Sequence, residues 1–387
     1  MPMGYFARGS LRTVLVGAVA GVVAPLLVSS PARAGGMDPT PERLVLQPAG
    51  LPPGVTCQQI AAQPSLVGKL GNGKLPDQFA CSPDNVAFKN LVSELGFALA
   101  PSTTHSARTT GFGGFVLSME ASYTHINAND YTHSGGSNVQ YWHEGTQGST
   151  DASGNYSTAN NSPDSLIGVY TLKARKGLPF GFELASALGY VSNTSLWTLG
   201  GDIRWALMEG FRTGVLGYLP DIAVGTGVRT MTGSSKMYLT TVGIDAEISK
   251  PITLSDEAVI SPYLGYQQLF IFGNSAVLDA TPSVNALGQC GYQGVQQSGA
   301  QAGSPSCKNT VSTSQGPVAN DGDFNNNITF NAVRIQRNRL FFGATYRYEL
   351  LYLGAQFLFD LTSPQSVDSD LSSARQWTMS LEAGVFF

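Results

Sequence analysis

The sequence predicts an all-β chain folded as a closed antiparallel transmembrane β-barrel of about 10 strands, with roughly 12 also possible. Three observations carry this. From Gly111 onward apolar residues recur at alternate positions, the spacing at which side chains of a strand share one face. Only 12% of residues are charged, against about a quarter in soluble domains, a deficit that suits a surface facing lipid. The opening residues also read as an export leader, so the barrel is met outside the cytoplasm.

The leader comes first. Arg8 and Arg12 precede an apolar stretch from Val14 to Val28, followed by Ser29, Ser30, Pro31, Ala32, Arg33 and Ala34. A basic region, an apolar core and a small-residue site in that order form a signal peptide, with cleavage expected after Ala34. The stretch is shorter than the roughly 20 apolar residues of a spanning helix, and Pro25 interrupts it. No cysteine follows the site, which argues against a lipid anchor. Residues 1–34 are therefore read as signal peptide, 35–110 as an N-terminal periplasmic or plug segment, and 111–387 as barrel. Loss of residues 1–34 removes Arg8, Arg12 and Arg33 and no acid, taking the net charge from −4 to −7. That balance excludes nucleic acid as a partner.

Residues 35–110 are rich in Pro, Gln and Gly and lack alternating runs. Within them Ser82 or Asp84 can cap a helix through Val86, Phe88, Leu91, Val92 and Leu95 to Gly96, with apolar positions at helical spacing. Such a helix sits in the periplasm or plugs the barrel; the sequence leaves both open. Cys57 with Cys81 and Cys290 with Cys307 form two sequence-local pairs in an exported chain, which reads as two disulfides. Zinc is the rival, but no cysteine has a ligand partner two to four residues away.

The strands follow. Phe115, Leu117, Met119, Ala121 and Tyr123 share one face, opposite Glu120. Leu166, Gly168, Tyr170, Leu172 and Ala174 oppose Lys173 and Arg175; Phe180, Phe182, Leu184, Leu188 and Tyr190 oppose Glu183. Trp197, Leu199, Ile203, Trp205 and Leu207 oppose Asp202 and Arg204; Ile222, Val224 and Val228 oppose Arg229. Val242, Ile244, Ala246 and Ile248 oppose Asp245 and Glu247; Ile260, Leu264, Tyr266 and Phe270 oppose Tyr263 and Gln267. Leu340, Phe342, Ala344, Tyr346 and Tyr348 oppose Arg347 and Glu349; Leu351, Leu353, Ala355, Phe357 and Phe359 oppose Gln356; Trp377 to Phe387 is the last strand. Residues 326–339 interrupt the pattern with Arg334, Arg337 and Arg339, and belong to one tall strand or hide a further hairpin. With the first strand running outward, the long connections 128–163 and 273–325 both fall outside. The inner connections are short, the arrangement of bacterial barrels.

The C-terminal run places Trp377, Met379, Leu381, Ala383, Val385 and Phe387 on one face. It resembles the terminal strand of Gram-negative outer-membrane β-barrel proteins, at the level of the porin-like superfamily. The resemblance implies outer-membrane location, contact with lipid and lipopolysaccharide, and recognition by the barrel-assembly machinery through Trp377, Leu381, Val385 and Phe387. As a motif it covers this strand only. A soluble antiparallel sandwich or barrel is the rival, since alternation does not distinguish inside from outside; the charges near strand middles favour a polar lumen.

That lumen is expected to be lined by Glu120, Lys173, Arg175, Glu183, Asp202, Arg204, Arg229, Asp245, Glu247, Arg347 and Glu349. Ten strands enclose a narrow or filled space, and mixed signs such as Asp202 with Arg204 and Arg347 with Glu349 suggest paired charges and low conductance. The first functional reading is thus a narrow channel or transporter for small or lipophilic solutes. A structural or adhesin-like barrel is the alternative, acting through loops 128–163 and 273–325 with Tyr131, Tyr141 and Trp142 as candidate contacts for an extracellular ligand. A barrel hydrolase using His125, His133 or His143 with Asp130 or Asp151 comes last. Gly68 to Leu75 approaches a phosphate-binding loop, but Leu75 replaces the hydroxyl that holds magnesium. The expectation is no enzyme, no cofactor and no metal.

Overall fold

The computed structural model describes residues 36–46, 82–130, 132–134, 137–148, 160–210, 218–279, 292–295, 305–307, 310–313, 316–319 and 327–387. The expected signal peptide, Cys57, Cys81, Cys290, Tyr131, Asp151 and the segment 68–75 lie outside them, as does the side chain of Cys307. The two disulfide pairings therefore fall outside the described residues.

Ten long strands form one closed antiparallel sheet. They are β1 (Phe115–His125), β2 (Leu166–Gly177), β3 (Phe182–Val191), β4 (Trp197–Met208), β5 (Asp221–Thr232), β6 (Met237–Ser249), β7 (Ala258–Ser275), β8 (Val333–Tyr348), β9 (Leu351–Asp360) and β10 (Trp377–Phe386). Each pairs with its sequence neighbours, and β1 meets β10 with Ala121 opposite Leu381, so no edge is left. A short strand, Ile252–Thr253, folds back on β7 at Ile260 and Val259. Residues 326–339 resolve in favour of one tall strand: β8 runs 16 residues beside the 18 of β7. Arg334 points out, whereas Arg337 and Arg339 are buried inside.

The outward face is apolar throughout its middle. Leu199 and Ile203 on β4 are 61% and 52% exposed, and Leu172, Leu184, Ile244 and Leu381 behave alike. Aromatics bound this band at both ends. At the long-loop end Tyr123 meets Tyr170 edge to face, Tyr190 packs on Trp197, and Trp377 stacks between His125 and Phe357. At the short-turn end Phe182 stacks on Trp205 and Phe115 packs on Phe387. Trp197 and Trp205 share one face of β4 and lie roughly 26 Å apart along it, at about 3.3 Å per residue. An apolar belt between two aromatic girdles, around a barrel whose strands pair with a neighbour on both sides, is the surface of a transmembrane barrel of outer-membrane type. Among the described residues no helix is long and apolar enough to cross a membrane; strands make the crossing.

Inside, the long-loop half is hydrophobic. Helix α1 (Asn85–Ala98) is capped by Asp84, whose carboxylate accepts from the backbone N–H groups of Val86 and Ala87 at 3.1 and 2.9 Å. It continues past Gly96, the expected stop, because Gly96 lies against β7 rather than in a turn: a Cβ there would run into Ile271. Phe88, Leu91, Val92 and Leu95 are buried in one cluster with Leu239, Leu269, Ile271, Val333 and Ile335 of the wall. Phe88 also stacks on Phe330 with ring centres 4.4 Å apart. Residues 36–46 dock at the same end, where Ser195 N donates to Asp38 at 2.7 Å, Thr40 N donates to Gly145 O at 2.8 Å, and Lys236 pairs with Glu42. A short strand pair, Val45 with Pro83 and Leu46 with Ser82, leads from there to α1.

Candidate functional site: the occupied lumen

Beyond α1 the chain does not leave the barrel. Residues 99–110 carry exposed backbone polar groups through the lumen, and each needs a partner, because an unpaired buried amide or carbonyl costs about as much as a lost hydrogen bond. The wall supplies partners for the carbonyls of residues 101–104 and the N–H groups of Ala107, Thr109 and Thr110. Pro101 O accepts from Arg339 of β8 at 2.8 Å and from Gln267 of β7 at 3.4 Å. Ser102 Oγ donates to Glu120 of β1 at 2.7 Å, and Lys173 of β2 donates to Ser102 O at 3.2 Å. Gln356 of β9 donates to Thr103 O at 2.6 Å, Tyr352 donates to Thr104 O at 3.0 Å, and Thr104 Oγ1 is bonded to Glu382 of β10. Ala107 N reaches Ser249 of β6 at 3.2 Å, Thr109 N reaches Glu209 at 2.9 Å, and Thr110 N reaches Glu183 of β3 at 2.8 Å. The chain then turns at Gly111, with φ +78°, and enters β1.

The ionic groups of the wall pair around this segment. Lys173 bridges Glu120, with Glu382 3.9 Å away; Arg175 lies 3.7 Å from both Glu183 and Glu382. Arg204 pairs with Asp245 and Glu247 at 3.3 and 2.8 Å, and Arg229 with Asp202 at 2.8 Å. Charges taken out of bulk water are stabilised by pairing of this kind. In the middle of the lumen, gaps between segment and wall include two cavities of about 20 Å³ each, one beside Arg204 and Asp245, the other beneath Ala98 and Leu99. That is room for about one water molecule.

Of the residues expected to line the lumen, Glu120, Lys173, Arg175, Glu183, Arg204, Arg229, Asp245 and Glu247 are buried inside and Asp202 is half-buried. The expected pairs are different. Asp202 bonds Arg229, its diagonal neighbour across the sheet, instead of Arg204 two places along its own strand: the positions directly opposite, Gly227 for Asp202 and Gly200 for Arg229, have no side chain and leave the diagonal open. Arg204 in turn reaches Asp245 over Gly225, which stands between them in register and has no side chain. Arg347 and Glu349 do not pair inside the lumen. Glu349 is exposed in the turn after β8 at φ 47°, and Arg347 is exposed at the short-turn mouth with its guanidinium 3.8 Å from the Phe386 ring centre. Strand ends, unlike strand middles, open to solvent.

A second correction concerns the loop aromatics. Tyr141 and Trp142 are fully buried, not exposed for a ligand. Both lie in a short helix, α2 (Tyr141–Glu144), and donate to the carboxylate of Glu94 on α1, Trp142 Nε1 at 2.6 Å and Tyr141 at 3.2 Å. The loop thus closes over the helix. Burial pushes the Glu94 carboxyl up to about 7, against the opposing pull of Trp142, Arg337, Tyr141 and the Asn127 amide. Because the raised value favours proton uptake by the folded form, stability tied to this group is greatest in acid. It falls by about 3 kcal/mol as pH rises from ~4.5 through ~7. The urea midpoint of the wild type should therefore drop more between pH 5 and pH 8 than that of Glu94→Gln; equal drops would remove Glu94 from the account.

His105 is buried in the inner lumen 4.0 Å from Glu183. Burial, then Arg204, Arg175 and Lys173, hold its imidazole well below the usual histidine range, so it is neutral. His125 stacks outward on Trp377, while His143 Nε2 lies 3.2 Å from Asn129 Oδ1; the side chain of His133 lies outside the described residues. Among the described residues no cluster of His, Cys, Asp or Glu has metal-binding geometry. Trp377, Leu381, Val385 and Phe387 share the outward face of β10 and its end.

Sequence reasoning missed Arg337 and Arg339. Arg337 bonds Asp360 bidentately and reaches Ser93 and Gln376 at 3.0 Å each; Arg339 holds Pro101 O and Gln267. Their odd numbers match Phe341 and Thr345, so the parity of β8 was the available signal.

The architecture has distant likenesses. The attachment invasion locus protein Ail of Yersinia pestis is similar at 9% identity over 71% of this chain and 99% of its own, with a TM-score of 0.22. The translocator domain of autotransporter NalP from Neisseria meningitidis is similar at 10% identity over 72% and 88%, TM-score 0.28. Omp33 of Acinetobacter baumannii follows at 7% over 71% and 99%, TM-score 0.22. No protein-family model and no curated protein matches the sequence. None of these likenesses bears on what the chain binds or carries.

Proposed function

We propose that this outer-membrane barrel is a narrow conduit for a small solute, held closed by residues 84–110 acting as a plug. The observation that supports it most is the hydrogen bonding of residues 101–110 to side chains of β1, β2, β3, β6, β7, β8, β9 and β10. A purely structural barrel can fill its lumen with wall side chains, as barrels of about eight strands do. Here a separate, non-wall segment fills it, and a separate segment is able to shift. The adhesin-like reading through loop 128–163 draws less support, since Tyr141 and Trp142 are occupied by Glu94. Lipopolysaccharide contact on the aromatic-edged outer face and recognition of the last strand by assembly machinery belong to the same proposal.

Planar-bilayer recording of the intact chain is the test. Low, intermittent current is expected, rising when the plug is loosened. A large, steady pore in the intact chain would overturn the plug.

A further inference from the structure

Where the chain leaves the lumen, the tight packing ends. A cavity of about 390 Å³ opens at the short-turn mouth, floored by Val116, Val259 and Phe386 and walled by Arg108, Arg175, Arg347 and Tyr352. That volume lies within the range of small-molecule sites, roughly 300–1,000 Å³.

Its charge is one-sided. Among the described residues the cavity is lined by three arginines and a single acid, Glu209, which is already committed to Thr109 through its backbone N–H and hydroxyl. His105, also in the lining, is uncharged. Arg175 is only 3% exposed, and its Nε and Nη2 have no hydrogen-bond partner; its carboxylate neighbours stand off at 3.7 Å. Its guanidinium lies over the Tyr352 ring at 4.7 Å, as that of Arg347 lies over Phe386 at 3.8 Å. A guanidinium stacked on a ring keeps its N–H edge free in the plane, the geometry that grips an oxyanion with two parallel bonds. Buried donors of this kind are satisfied in nearly all native proteins.

We propose that this vestibule binds a small organic anion: a carboxylate gripped by the arginines, with a flat apolar body on the Val116, Val259 and Phe386 floor. The rings and aliphatic floor favour such a body over a bare mineral anion, which would leave them empty. Arg108 and Thr109 of residues 84–110 belong to its lining, so the site is complete with that segment in place; it does not require that the barrel conduct.

Benzoate and inorganic phosphate, titrated calorimetrically into the full chain in detergent, test it without any current being measured. Benzoate should bind saturably and more tightly than phosphate. Arg108 and Arg347 are exposed and make no ion pair among the described residues, so the R108Q/R347Q variant should fold normally and lose at least about tenfold in benzoate affinity, one tenfold step per ~1.4 kcal/mol. Val259→Asp should abolish benzoate binding while leaving the arginines in place. No saturable benzoate binding, phosphate binding as tight as benzoate, or benzoate affinity unchanged in R108Q/R347Q would each overturn the proposal.

Discussion

Replacing Arg337 by alanine is expected to destabilise the folded barrel by roughly 3–5 kcal/mol, the usual effect of stripping one partner from a buried ion pair. Arg337 is 1% exposed and is the hub that joins β8 to Asp360 at the end of β9, to Gln376 beside β10, and to Ser93 on α1. Its loss leaves the Asp360 carboxylate inside with only the Gln376 amide to hold it. Urea unfolding of the detergent-folded protein, followed by loss of the heat-resistant form on gels, reads the effect. The double substitution Arg337→Met with Asp360→Leu should recover most of the stability, since a buried pair exchanged whole for apolar groups of similar volume is often neutral. An Arg337→Ala protein as stable as wild type would mean that the pair is solvated.

Gly96→Val is expected to unseat α1 while leaving the wall intact. The added side chain enters the space of Ile271, and overpacking of this kind typically costs about 1–3 kcal/mol. That is small for a closed sheet with ten hydrogen-bonded seams and larger for a single helix held by its packing, the Glu94 contacts and the bonds of Lys89, Asn90 and Ser93 to Asp370, Ser372 and Arg337. Trypsin gives the readout, because Lys89 and Arg108 stand at the two ends of the segment. Cleavage at Lys89 should be slow in wild type, fast in Gly96→Val, and slow again when Ile271→Ala makes room. The same variant should raise single-channel current several-fold. Rapid cleavage with no rise in current would leave a structural barrel as the better reading.

The barrel was legible because period-two alternation is local: every strand fell on its expected face, and the parity of long and short connections fitted ten strands. The lumen was legible only as a set of charges. Which acid meets which base depends on cross-strand register and on side-chain-free positions such as Gly225, and neither shows in a single strand. The inner face of the long-loop half was misjudged for a related reason. Ile167, Val169, Leu269 and Ile271 are apolar on the side assigned to water, a signal that something apolar lies within, and the amphipathic run from Val86 to Leu95 is its partner. Tyr141 and Trp142 were read as exposed because their neighbours in sequence are polar; their burial depends on Glu94, far upstream in sequence.

One consequence concerns how such a molecule is made. Residues 36–46 rest on the rim with long loops, β1 starts at the opposite mouth, and the sheet is sealed by bonds between its first strand and its last. A finished cylinder would have to be threaded from one side to accept its own leading segment. The simpler order is for the sheet to curl around that segment and join β1 to β10 last, so that membrane insertion and the folding of the interior are a single event, with the slowness that such sequence-distant pairing brings.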